Sequence, residues 1–125
     1  TDEGYQNMVR DKLSEVLQFP VRFRMDRDCF RYQLCLEGAE TWIHKDDTEW
    51  AGVLYLSPDP PVDGGTVIFD EEENVVTMIG NVYNRLVLYR GDLLHRSLQP
   101  GFGNSVETGR LTQVFFFDEA TYDKH

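Results

Sequence analysis

At Pro20 the hydrophobic period of the chain changes from that of a helix to that of a strand, and this change constrains the fold more than any other feature. Before it, Met8, Val9, Leu13, Val16 and Leu17 recur at helical spacing, with Arg10, Asp11, Lys12, Ser14 and Glu15 largely on the other side. The pattern predicts one amphipathic support helix from about Tyr5 to Phe19, capped by Asp2 and stopped by Pro20, whose ring forbids continuation. From Val21 the apolar residues alternate, with Val21, Phe23 and Met25 set against Arg22, Arg24 and Asp26. A turn near Asp26-Arg27-Asp28 leads to a second extended stretch at residues 29–37, so the two read as a hairpin that Gly38 ends. Eight phenylalanines and six tyrosines add to the β preference.

The rest of the chain continues in the same period. Residues 50–57 form a strand with Val53, Tyr55 and Ser57 on one face and Leu54 and Leu56 on the other. Pro58-Asp59-Pro60-Pro61-Val62-Asp63-Gly64-Gly65 is a loop, because prolines remove donors and glycines supply positive φ. A strand at 66–69 follows, then Asp70-Glu71-Glu72-Glu73, a solvated acidic loop that lacks the ligand spacing and central glycine of a calcium loop. Residues 75–83 carry no clear period, 84–90 alternate as a strand, Gly91-Asp92 turns the chain, and a short apolar strand bears His95. After a Gly- and Pro-rich loop at 99–109, a strand at 110–118 closes the domain. At 125 residues this is a single domain: a helix within 1–20, a β core at 21–118 and a tail at 119–125. The period alone predicts an all-β sandwich or barrel with a flanking helix.

One stretch answers to chemistry more than to packing. If Thr41-Trp42-Ile43-His44-Lys45-Asp46-Asp47 is extended, His44 and Asp46 share a face and converge on one point. Two ligands hold a metal poorly, and His95 is the third candidate. Neutral imidazoles from His44 and His95 with the Asp46 carboxylate, on one face of an octahedron, suit Fe(II) and leave positions for a chelating cosubstrate and dioxygen. In a chain with 22 acidic residues, His44-x-Asp46 alone is a weak signal. It gains weight because there are three histidines, His125 is terminal, and the other two both fall on predicted strands. The plainer alternative is that His44 and His95 are unrelated surface or core residues.

His44-Lys45-Asp46, the distal His95 and the basic Arg110 together resemble the motif of the 2-oxoglutarate- and Fe(II)-dependent oxygenases, in their prolyl-hydroxylase-like branch. The resemblance continues through Ala51-Gly52-Val53-Leu54-Tyr55-Leu56-Ser57, Gly64-Gly65-Thr66-Val67-Ile68-Phe69 and Asn84-Arg85-Leu86-Val87-Leu88-Tyr89, over about residues 41–118. It implies a double-stranded β-helix, or jelly roll, of about eight strands. It also implies that His44, Asp46 and His95 hold Fe(II) as the catalytic centre. Arg110 would receive the far carboxylate of 2-oxoglutarate, aided by Thr112 or Tyr55. A guanidinium offers that carboxylate a planar, permanently charged fork, and alternation puts Arg110, Thr112, Val114 and Phe116 on one face. Tyr32 either donates to the cosubstrate, as resembling enzymes often do from this strand, or is an ordinary packed tyrosine. Arg96, next to His95, should point the opposite way.

The implied reaction hydroxylates a C–H bond and consumes 2-oxoglutarate and O2, releasing succinate and CO2. The leading substrate is a peptidyl side chain such as proline, and small molecules are the alternative on the same fold. Trp42, Trp50 and the 99–109 loop would line the entrance. Two readings of other classes stand beside this one. A cupin-like metal enzyme would need two histidines two apart followed by a glutamate, which the chain lacks. A catalytically silent jelly-roll binding module would keep the triad for stability alone.

A formal net charge of -10 repels phosphate backbones and makes nucleic acid an unfavourable partner, whereas it would suit a basic peptide. No apolar run is long enough to span a bilayer and nothing in the first residues reads as a signal peptide, so the expectation is a soluble, cytoplasmic protein. The chain does not begin with Met, so a segment could precede it. Cys29 and Cys35 would stand ~20 Å apart along one strand, too far for a disulfide, and are expected to be reduced packing residues.

Overall fold

The computed structural model describes residues 2–97 and 101–120. Helix α1 spans Glu3–Leu17 and buries Val9 and Leu13. Its first turn is closed by the Asp2 carboxylate, which accepts the Tyr5 N–H at 2.7 Å. It ends at Gln18, which turns left-handed (φ 65°) and donates its N–H back to the Ser14 carbonyl. The helix therefore stops just short of the expected Phe19, and the Phe19 ring packs instead on Trp50 at 5.9 Å. The Ser14 hydroxyl accepts the Val21 N–H at 3.1 Å, which ties the helix to the first strand.

Among the described residues eight strands follow: β1 Val21–Phe23, β2 Tyr32–Cys35, β3 Trp50–Tyr55, β4 Thr66–Phe69, β5 Val75–Ile79, β6 Leu86–Arg90, β7 Leu94–Ser97 and β8 Arg110–Glu119. They form two antiparallel sheets. The larger runs β1-β8-β3-β6, with β2 also on β8, and the smaller runs β5-β4-β7. The fold is thus mostly β with one N-terminal helix. The expected tail begins later than 119, because Glu119 still pairs with Val21, and residues 121–125 lie outside the described residues.

The expected hairpin between the first two strands does not form. Both β1 and β2 run antiparallel to β8, β1 against residues 117–119 and β2 against 110–113, so they lie end to end along one edge of it. The intervening chain makes a short 3-10 turn at Met25–Arg27 and returns to the same edge, where Phe30 N–H donates to the Val114 carbonyl at 2.7 Å. Burial of Phe30 explains the return: its ring meets Phe23 at 4.6 Å and Phe115 at 5.2 Å, both edge to face. That reward outweighs a simple reversal at a polar turn. The aperiodic stretch 75–83 holds β5, which pairs with β4 through an acidic turn. There the Asp70 carboxylate accepts the N–H groups of Glu72 and Asn74.

The ten residues of β8 divide the molecule into two cores. One face presents Phe115 and Phe117 to α1, where they pack with Val9, Leu13, Val21, Cys29 and Phe30. The other face looks toward the small sheet. Ala51, Tyr55, Ile68, Val87 and Tyr89 pack together as the second core, and beside it a cavity of about 360 Å³ is lined by residues of both sheets, Tyr89 among them.

Candidate metal centre

His44 and His95 meet as one antiparallel pair, each donating its N–H to the other's carbonyl at 3.0 Å. Residues directly opposite in such a pair project to the same face, so both imidazoles enter the cavity. The expected strand at 41–47 is reduced to this single bridge. Beyond His44 the chain pairs with a turn rather than a strand, with Asp46 N–H donating to the Gly91 carbonyl at 2.8 Å and Gly91 N–H to the Glu49 carbonyl at 2.9 Å. Glycine is required there: a Cβ on Gly91 would lie 2.1 Å from the Thr48 carbonyl oxygen. Asp46 still reaches the face of His44, and one ligand atom from each of His44, Asp46 and His95 lies within 4.8 Å of the others.

The tautomers can be read from the backbone. His44 Nδ1 lies 3.0 Å from the Trp42 carbonyl and His95 Nδ1 lies 2.8 Å from the Leu93 carbonyl. A carbonyl oxygen only accepts, so both Nδ1 atoms carry a proton, which leaves Nε2 as the atom of each ring that could bind a metal. Both Nε2 atoms face the Asp46 carboxylate, His95 Nε2 at 3.1 Å from Oδ2 and His44 Nε2 at 3.9 Å from Oδ1. Asp46 Oδ2 is buried and receives no hydrogen bond. With both rings neutral the three inward atoms are all acceptors, the form in which a divalent cation among them satisfies all three. Two nitrogens and one carboxylate oxygen form a donor set that fits a metal ion.

A second charged group enters the cavity from β8. Arg110 is 5% exposed and donates from Nε to the Gly64 carbonyl at 2.8 Å and from Nη2 to the Gly65 carbonyl at 3.3 Å. Among the described residues its guanidinium has no carboxylate partner, and burial pushes its pKa below the ordinary value. Thr112, two residues along the same face, keeps a buried hydroxyl with no hydrogen-bond partner among the described residues. As alternation predicted, Arg110, Thr112, Val114 and Phe116 all line the cavity that holds the triad. A buried cation and a free hydroxyl on one wall form a receptor for an anion.

The remaining expected residues fall elsewhere. Tyr55 is fully buried, its hydroxyl 2.6 Å from Thr66 Oγ1 and its ring 5.8 Å from Arg110 Cζ, so it supports the guanidinium from the core. Tyr32 does not face the cavity. It pairs with Gln113, whose side chain lies on the helix side of β8, and it is 59% exposed. Its neighbours Arg31, Gln33 and Cys35 occupy the inner face instead. Arg96, expected to point away from His95, also lines the cavity, because its Nη2 reaches back to donate to the Thr41 carbonyl and hydroxyl and so holds the segment that leads to His44. Trp42 lines the cavity and is 68% exposed, in keeping with an entrance, whereas Trp50 packs on Phe117 in the helix-side core.

Tyr89 had no assigned role in the sequence. It lines the cavity with its ring 4.6 Å from that of His95, and burial, with the Asp46 carboxylate adding to it, pushes its phenol above the ordinary value. Alternation placed it with Val87, but the face that meets the small sheet depends on how the sheets pack. Cys29 and Cys35 are free, as expected. No helix among the described residues is long and apolar enough to cross a membrane. No family model, curated protein or solved structure matches the chain.

Proposed function

We propose that this domain is an Fe(II)- and 2-oxoglutarate-dependent oxygenase of the double-stranded β-helix type, hydroxylating a C–H bond of a peptidyl side chain such as proline. One observation carries the reading: a single cavity joins a three-residue candidate metal face to a buried guanidinium with no carboxylate partner among the described residues. His44, Asp46 and His95 hold the metal, with both rings fixed by their backbone acceptors. Arg110 anchors the far carboxylate of 2-oxoglutarate and Thr112 donates a hydrogen bond to it. Val53, Val114 and Phe116 give the cavity apolar walls that keep water from the reacting groups. Bound there, Fe(II) and 2-oxoglutarate supply the activation of O2, with one oxygen atom ending in succinate, the other in the substrate hydroxyl, and CO2 released. The substrate approaches past Gln33 and Trp42, both exposed at the open side. A cytoplasmic setting accords with two cysteines that do not pair with each other.

The test is anaerobic. Fe(II) and then 2-oxoglutarate are added to metal-free protein while the weak visible charge-transfer band of the chelate is followed. We expect a saturable band in the wild type and none in Asp46→Ala. Fe(II) binding without a band in the wild type would leave a metal-binding domain of cupin-like type, and no binding would leave a silent module.

A further inference from the structure

Tyr89 lies in the cavity wall without a part in the reading above. On β6 it stands opposite Ala51 of β3, facing the small sheet, and it is 9% exposed. Among the described residues its hydroxyl has no hydrogen-bond partner, whereas the hydroxyls of Tyr5 and Tyr55 bond Gln113 Oε1 at 2.7 Å and Thr66 Oγ1 at 2.6 Å. Buried phenols find partners, so a largely buried phenol that lines the cavity without one points to a partner bound there. Its ring rests on His95 at 4.6 Å, at the metal end, while Arg110 stands on the wall that receives the far carboxylate. We propose that Tyr89 donates a hydrogen bond to the 2-oxo carboxylate of the cosubstrate where it chelates the metal. Tyr89 thus complements Arg110 and Thr112, one donor at the head of the ligand and two at its tail. This inference rests on the oxygenase reading.

Tyr89→Phe keeps the ring against His95 and removes only the hydroxyl. Binding is read from the anaerobic charge-transfer band of the Fe(II)–2-oxoglutarate complex in the wild type, Tyr89→Phe and Arg110→Ala. Mn(II) affinity, measured by electron paramagnetic resonance without 2-oxoglutarate, reports whether the triad is intact. We expect the half-saturating 2-oxoglutarate concentration to rise about tenfold in Tyr89→Phe with Mn(II) affinity unchanged. At saturation the band should move to shorter wavelength, because the chelating carboxylate loses a donor. In Arg110→Ala the band should weaken without moving. Unchanged half-saturation and wavelength in Tyr89→Phe overturn the inference alone. Weaker binding with no shift overturns the placement at the metal end, and a loss of Mn(II) affinity makes Tyr89 a structural support of His95. A wild type that binds Fe(II) but gives no band overturns the oxygenase reading and this inference with it.

Discussion

His44 and His95 owe their ligand character to two carbonyl groups outside the triad. The Trp42 and Leu93 carbonyls each sit two residues before the histidine they orient, so the tautomer is built into the local backbone. Gly91 does comparable work for Asp46, since any side chain there would push the 46–48 segment away. Gly91→Ala is expected to destabilise the fold by about 1–3 kcal/mol and to weaken Mn(II) binding, measured by urea unfolding and metal titration. Arg110 carries a different prediction. Arg110→Ala should raise the half-saturating 2-oxoglutarate concentration by about tenfold or more while leaving Mn(II) affinity unchanged, since a charged hydrogen bond is worth roughly 1.5–3 kcal/mol. Tyr32→Ala is the control: an exposed residue away from the cavity should change stability by about 0.5 kcal/mol or less and cosubstrate affinity not at all.

Among the elements, β8 has the most to do. Its outer face supplies Phe115 and Phe117 to the core under α1, its inner face presents Arg110 and Thr112 to the cavity, and β1, β2 and β3 all bond to its edges. A fault on one face therefore reaches the other. Phe117→Ala empties space in the helix-side core and should cost about 3–5 kcal/mol, seen as a lower urea midpoint with an unchanged slope. The alternation of 110–118 and the helix with its Asp2 cap were legible because each depends on local period and local donors. The β1–β2 hairpin was misread because the polar turn at Asp26-Arg27-Asp28 looks the same whether it reverses the chain or loops it back. Only the burial of Phe30 between Phe23 and Phe115 chooses between these.

At the scale of the whole molecule, the metal face is a joint between parts distant in the chain, the 41–47 segment and β7. A cation bound there stabilises the folded state by mass action, about 2.7 kcal/mol at 100 times its Kd. Mn(II) should raise the Tm of the wild type and leave Asp46→Ala unmoved in a thermal scan. By itself the sequence determined the helix, the mostly β character, the inner face of β8 and the three ligand candidates, because side-chain period and ligand chemistry are properties of neighbouring residues. Only the tertiary structure decided that 41–47 is a bridge rather than a strand, that Tyr32 faces outward and that Tyr89 faces in. Those outcomes follow from which backbone groups find each other across the sheets and which rings are buried between them, and both depend on residues far away in the chain.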